Sequence, residues 1–304
     1  MSTEVKELYW PSQIGRITEP DPLTFYRNYV SMGIPVILCG MMESWPAMKL
    51  WDLDYLKDTF GESPISVDIT PTGHGDCVVD GTYFVQPMQK KMKLGDVVDI
   101  FLKKSPALGV YYIQKQNDNF RTEFEGPLWK DVINNVELFG SRVFDSSPDA
   151  VNFWMGDDKA VSSMHKDPYE NLYCVVKGQK NFTLLPPTDY PYLYETDFRN
   201  AHYERNDEGE DWSIVLDQGT VPWIPVDPDN AAHYQKFPNF NNISPLRVSV
   251  QPGEILYLPS MVYHKVAQTG CTIAVNYWFD MKFDLKYAYF KFLEETTKIK
   301  STLL

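Results

Sequence analysis

Between Val151 and Phe279 the chain breaks into short runs of aliphatic and aromatic residues, each bounded by turn-forming residues. The runs are Val151–Met155, Ser162–Lys166, Leu172–Val176, Asn181–Leu185, Leu246–Val250, Ile255–Leu258, His264–Ala267 and Thr272–Phe279. Short strands recurring in this way predict a β-sandwich or barrel, not a parallel sheet, which needs a helix at each crossover. One interruption stands out. Pro186 to Pro245 is proline-rich and polar, carries an acidic run from Glu204 to Asp211, and reads as a long functional loop or insertion.

The first half mixes helices and strands. Asp21-Pro22 reads as an N-cap followed by proline at the first helical position, with Leu23, Tyr26, Tyr29 and Val30 on one apolar face. Asp52 caps a second helix with Leu53, Leu56 and Phe60 inward, and Asp96 opens a third through Val97, Ile100 and Phe101. Val36–Leu38, Ile65–Ile69, Tyr83–Val85 and Val110–Gln114 read as strands. No Gly/Ser linker divides the chain. The expectation is an α/β portion over 1–150 that packs on the barrel without independence, a β core over 151–280 with an insertion at 186–245, and a helix over 281–304. In that helix Leu285, Ala288, Tyr289, Phe292, Leu293 and Ile299 share a face, which packs on its own barrel or pairs two copies into a homodimer.

Charge narrows the partners. Against 28 Lys+Arg stand 41 Asp+Glu, a net charge of −13, which opposes nucleic acid as the main ligand. The longest apolar run, Ile34–Met42, is too short to cross a bilayer, and the first ten residues lack a secretory apolar segment. Cys39, Cys77, Cys174 and Cys271 are far apart with no C-x-x-C pair, so reduced thiols and a cytoplasmic, also nuclear, placement are expected.

The segment richest in chemistry is Ser162-Ser-Met-His165-Lys-Asp167. On a strand, positions i and i+2 share a face, so His165 and Asp167 point together. His264 follows the strand run Ile255–Leu258. Two imidazoles and one carboxylate leave coordination positions open, as in the facial triad of non-heme Fe(II) oxygenases. Zinc fits the same ligands less distinctively. An isolated H-x-D is a weak signal; its place among strands gives it weight. His74, His202 and His233 lie in polar contexts and read as solvated. Lys180 opens what reads as the return strand of a hairpin turning at Gly178, where a cation suits the distal carboxylate of a dicarboxylate held at the metal.

These residues, together with Asn171, Pro252-Gly-Glu-x-Leu-Tyr-Leu-Pro259 and Val275-Asn276-Tyr-Trp278, resemble the Jumonji-C 2-oxoglutarate oxygenases. Their fold is a double-stranded β-helix, a cupin-like jelly roll, so a mainly β protein with flanking helices is implied. Tyr111–Gln116, Pro148–Trp154, Pro222–Pro228 and Asp280–Tyr287 extend the resemblance to the subfamily of bifunctional peptidases and (3S)-lysyl hydroxylases, from about Pro20 to the terminal helix. The resemblance implies that His165, Asp167 and His264 hold Fe(II) and that Lys180 grips 2-oxoglutarate, with O₂ as second co-substrate. It also implies that Tyr112 and Ser162 assist Lys180, Ser162 standing where threonine is common, and that Asn171 and Asn276 lie near the metal-bound end.

The implied reaction is hydroxylation at C3 of a lysine in a protein, the subfamily's substrates being translation-associated, developmentally regulated GTP-binding proteins. Histone lysine demethylation, histone-tail peptidase activity and a non-enzymatic cupin-like binding module are the rivals. Neither a separate nucleophile motif nor a dizinc site is found for peptidase chemistry. Asp149, Glu170 and the acids of Glu204–Asp211 are candidates to receive the lysine ammonium, Glu170 first because it adjoins the metal strand.

Overall fold

The structure, a computed structural model, describes residues 7–302 apart from 125, 127 and 206–210. Its strands in chain order are β1 Gly15–Thr18, β2 Val36–Cys39, β3 Pro64–Thr70, β4 His74–Gly75, β5 Cys77–Val79, β6 Tyr83–Gln86, β7 Met88–Lys93 and β8 Val110–Ile113. The remainder are β9 Ala150–Gly156, β10 Val161–His165, β11 Tyr169–Leu185, β12 Thr196–Arg205, β13 Trp212–Trp223, β14 Leu246–Val250, β15 Ile255–Leu258 and β16 Tyr263–Asp280.

Two long antiparallel strands, β11 and β16, organise the molecule. They pair from Tyr169↔Asp280 to Leu185↔Tyr263. The first half of β11 is flanked by β15, and the second half by β14. The last half of β16 pairs with β9, and its first half with β10. Each long strand thereby serves two layers, and the twelve-stranded sheet has a jelly-roll core. The segments read as separate strands, Leu172–Val176 with Asn181–Leu185 and His264–Ala267 with Thr272–Phe279, are halves of β11 and β16. No hairpin forms at Gly178. Its φ of +70° supports a bulge, with register shifts on either side of Lys177. A Cβ at Gly178 would lie 2.6 Å from the Cys271 carbonyl oxygen, so the close strand crossing needs glycine.

Alternation along the strands separates two cores. Leu172, Cys174, Ile273, Val275, Tyr277, Phe279, Val151 and Phe153 face outward onto the helices, in a core completed by Phe25, Trp45, Trp51, Phe120 and Phe139. Tyr173, Val175, Phe182, Leu184, Ala274 and Trp154 face the barrel interior. Each fully buried large apolar side chain contributes roughly 1.5–3 kcal/mol, so the helical layer and the barrel stabilise each other. β2, β3, β7 and β8 extend the same sheet, β8 pairing directly with β9.

The helix starts are mostly as expected. Asp21 Oδ1 accepts the Thr24 amide at 3.0 Å, and Asp52 Oδ1 the Tyr55 amide at 2.8 Å. The third helix begins earlier, at Leu94, so Asp96 lies in its first turn rather than at its cap. The stretch read as a loop is largely ordered secondary structure: β12 and β13 form a hairpin that joins β6 and β5 in a four-stranded sheet. Proline and charge masked its strand pattern.

The terminal helix, Leu285–Thr302, turns Phe290 and Leu293 inward beside Tyr190. The rest of the expected stripe faces solvent, with Leu285 84%, Tyr289 58% and Phe292 65% exposed. The side chain of Ile299 lies outside the described residues.

Candidate active site

His165 and His264 are direct partners in the antiparallel β10–β16 ladder, which sets their rings 4.2 Å apart. Asp167 follows on the turn into β11, where its carbonyl accepts the Met261 amide at 2.9 Å. Its carboxylate lies 3.8 Å from His165 Nε2 and 3.5 Å from His264 Nε2. The three donor atoms fall within 4.8 Å of one another.

The protonation states suit a metal. His165 Nδ1 is 2.6 Å from the Ser163 carbonyl and His264 Nδ1 is 3.0 Å from that of Val262. A carbonyl only accepts, so each Nδ1 carries the hydrogen and each Nε2 presents a lone pair to the centre. Burial, reinforced by His264, pushes His165 down to about 4, so it is neutral at physiological pH. Burial works to raise Asp167, but His165 and His264 outweigh it and hold the carboxyl below its ordinary value. Two neutral imidazoles and a carboxylate form a donor set for a divalent first-row ion with open positions.

The barrel interior beside this triad is lined by Tyr112, Ser162, Asn171, Tyr173, Trp154 and Trp278. Lys180, 1% exposed, is buried against one of these lining residues, Tyr112. Its Nζ donates to the Tyr112 hydroxyl at 2.8 Å and to Gln268 Oε1. Tyr112 is in turn hydrogen-bonded to Ser162 and Tyr173. No carboxylate pairs with Lys180 among the described residues, and burial pushes its ammonium down to about 7. A buried cation with only neutral partners is costly, and an incoming anion relieves that cost.

Asn171 and Asn276 play unequal parts. Asn171 reaches the pocket, whereas Asn276 is fully buried behind it. Asn276 Nδ2 donates to Asn171 Oδ1 at 3.0 Å, and its Oδ1 accepts the Trp154 indole at 2.8 Å. It positions the pocket wall and does not line it.

Glu170 is a correction. It shares the outward face with Leu172, away from Asn171 and the triad. Its carboxylate accepts Tyr257 Oη at 2.7 Å and Ser260 Oγ at 2.8 Å. Adjacent residues on a strand point to opposite faces, which sequence proximity to the metal strand concealed. Glu170→Gln is expected to lower unfolding stability by about 1–3 kcal/mol, by placing an amide against two donors, without raising the peptide requirement. Denaturant titration beside peptide kinetics checks this. Asp149 is exposed and accepts the Tyr169 hydroxyl at 3.1 Å. Residues 206–210 of the acidic run lie outside the described residues.

Some site residues escaped the sequence reading. Trp223, at the end of β13, stacks on His165 with rings 6.1 Å apart and 8° from parallel, and donates to Ser163 Oγ at 3.0 Å. Gln268 shares Lys180 with Tyr112. Only the Pro222-Trp223 motif hinted at the first, and nothing marked the second. Two of the other histidines are engaged in the fold: His202 pairs with Asp217 at 2.9 Å, and His233 Nδ1 accepts the Asp227 amide at 2.8 Å.

A jelly roll whose strand ends bring His, Asp and His together defines a cupin with a 2-His-1-carboxylate donor set. The cupin-like domain family matches residues 22–285, and the chain belongs to its Jumonji-C branch, whose oxygenases use Fe(II) and 2-oxoglutarate. It is similar to JmjC domain-containing protein E of Dictyostelium discoideum, 40% identical over 99% of this chain and 93% of that protein. It is 40% identical to the human bifunctional peptidase and (3S)-lysyl hydroxylase JMJD7, over 92% of this chain and 87% of the relative. Lysine-specific demethylase JMJ32 of Arabidopsis thaliana is also 40% identical, over 99% of this chain and 91% of the relative.

Proposed function

We propose that this Jumonji-C oxygenase hydroxylates C3 of a lysine in a translation-associated GTPase, using Fe(II) at His165, Asp167 and His264 and 2-oxoglutarate at Lys180. The observation that carries the co-substrate reading is the buried Lys180, held by two neutral groups beside the triad. The choice of lysine hydroxylation rests on the likeness to the human lysyl hydroxylase.

When bound, the iron and 2-oxoglutarate would supply, with O₂ as the oxidant, the chemistry that converts an unactivated C–H to C–OH, one oxygen atom of O₂ going to the hydroxyl and the other to succinate, with release of CO₂. Lys180 neutralises the distal carboxylate, and Tyr112 and Ser162 hold the ammonium and that carboxylate in line. Asn171, fixed by Asn276, flanks the metal-bound end. Trp223 keeps the His165 ring in plane with its lone pair directed inward. Trp154, Trp278 and Phe182 keep the pocket walls apolar and limit water beside the reacting centre.

The Arabidopsis relative's name supports demethylation as the second reading. Incubation with Fe(II), 2-oxoglutarate and paired peptides separates the two. A gain of one oxygen on unmodified lysine supports the proposal. Loss of a methyl group from methyl-lysine without that gain defeats it. Among the described residues only the one His/Asp/His group is placed to hold a metal, which offers no support for dizinc peptidase chemistry.

We also propose that the outward face of the terminal helix pairs two copies of the chain. Leu285, Tyr289 and Phe292 form an apolar stripe there, and such stripes are more often buried than solvated. Light scattering at micromolar concentration is expected to give a mass near twice 35.2 kDa, with Phe292→Asp returning the monomer; a monomeric wild type ends the idea.

A further inference from the structure

A second cavity, of about 300 Å³, opens beside the metal pocket and is lined by Asp68, Asp76, Gln86, Gln89, Gln114 and Lys115 among others. Gln116 borders both cavities, so they adjoin. The two carboxylates differ in their surroundings. Asp68 accepts Gln114 Nε2 at 2.9 Å and Gln89 Nε2 at 3.2 Å. Asp76, half-buried, has no side-chain hydrogen bond or ion pair among the described residues. The Lys115 ammonium reaches Ser66 Oγ and Gln89 Oε1, each at 3.4 Å, and partly offsets Asp68. When both carboxylates are ionised, two negative charges face one ammonium across the cavity.

The direction of Asp76 is built in. Its backbone sits at φ 48°, and its carbonyl accepts Ser163 Oγ at 2.6 Å, on the strand that carries His165. β4, which delivers it, pairs with β10 through Gly75↔Ser162. The Asp76 backbone is thus tied to the metal strand while its side chain borders the adjoining cavity.

We propose that Asp76, with Asp68 behind it, receives the ε-ammonium of the target lysine while the lysine Cβ lies at the metal pocket. This rests on the lysyl-hydroxylase reading and supplies its specificity determinant. The geometry of the substrate asks for such a cavity. C3 of lysine is Cβ, and four further bonds carry the nitrogen about 5 Å away when extended. A reaction at Cβ therefore needs an anionic recess next to the metal, whereas removal of a methyl from nitrogen needs the nitrogen at the metal itself. Burial, with Asp68 as the second cause, pushes Asp76 up to about 7, as expected for a carboxylate whose counter-ion comes from outside the chain.

The test is a binding measurement on the full chain loaded with Mn(II) and 2-oxoglutarate. The probes are Nα-acetyl-lysine N-methylamide and its norleucine counterpart, which lacks only the ammonium. Wild type is expected to favour the lysine probe by about tenfold or more, the effect of a hydrogen bond to a charged group. Asp76→Asn, which tolerates the same backbone conformation, is expected to bring that ratio close to one. Independently of any variant, calorimetry near pH 7 in two buffers should detect proton release from wild type on binding the lysine probe and none with norleucine. Equal affinity of wild type for the two probes, no proton release, or full retention of the preference in Asp76→Asn overturns the inference. Failure of the underlying reading looks different: lysine peptides would stimulate no succinate formation, whatever the probe preference.

Discussion

Asp167→Ala is expected to reduce substrate-coupled succinate formation by at least about 10³-fold, and His165→Ala to do the same. Loss of about 4 kcal/mol of transition-state stabilisation suffices for that factor, and an ion that polarises and orients reactants supplies several kcal/mol. The fold should survive. Among the described residues the Asp167 side chain forms ion pairs only with the two imidazoles, and the backbone bond from the Met261 amide to its carbonyl remains in alanine. His165 lies at the end of β10, where its loss opens no apolar core. Metal titration and circular dichroism should therefore show a folded protein that no longer retains the ion. Normal coupled turnover in either variant would remove the triad from the mechanism.

Lys180→Met should weaken 2-oxoglutarate binding by about 30-fold or more, since it removes one partner of a buried charge pair, worth roughly 2–5 kcal/mol. Methionine keeps most of the side-chain volume, so little cavity penalty confuses the result. Two further signs follow from the ammonium being pushed down to about 7 by burial. In the free protein Lys180 is progressively neutral above that pH, so binding of the anion must take up a proton. Affinity should fall as pH rises above about 7, approaching tenfold per unit until the pKa of the complex is reached. Calorimetry in buffers of different ionisation enthalpy measures the uptake. Stability without co-substrate moves the other way. A lysine with a depressed folded pKa destabilises the fold fully below about 7, and the penalty fades as pH rises toward its ordinary 10.5. Lys180→Met should consequently raise the melting temperature of the protein without co-substrate most at or below neutral pH. A pH-independent affinity from 7 to 9 would contradict the buried-cation account.

The barrel was legible because strand alternation is a local property. Residues two apart share a face whatever the partner strand, so the pairing of His165 with Asp167 could be read before any fold was known. The same rule, applied strictly, also excludes Glu170 from the pocket, and its nearness in sequence misled. Lys180 illustrates the opposite difficulty. Inward residues on the first half of β11 are Asn171, Tyr173 and Val175, whereas on the second half they are Lys180, Phe182 and Leu184. The parity changes across the bulge around Gly178. A turn at Gly178 and a bulge there look alike in one dimension, since glycine supports both. Similarly, the insertion looked like a loop because its strands are partly exposed and β12 buries few apolar residues, Ala201 and Tyr203 packing with Val85 in a small cluster beside the pairing to β6.

What the sequence by itself determined is therefore the donor chemistry and its local geometry: two histidines, an aspartate and a lysine among strands, with residue types that bind a divalent ion and a dicarboxylate. Only the tertiary structure decided which side chains support them. The β10–β16 register sets His264 opposite His165, β13 brings Trp223 onto that ring, β16 brings Gln268 to Lys180, and β4 carries Asp76 to the edge of the metal strand. Each of these contacts joins segments far apart in the chain. Their positions follow from long-range strand pairing and close packing, which no local periodicity encodes.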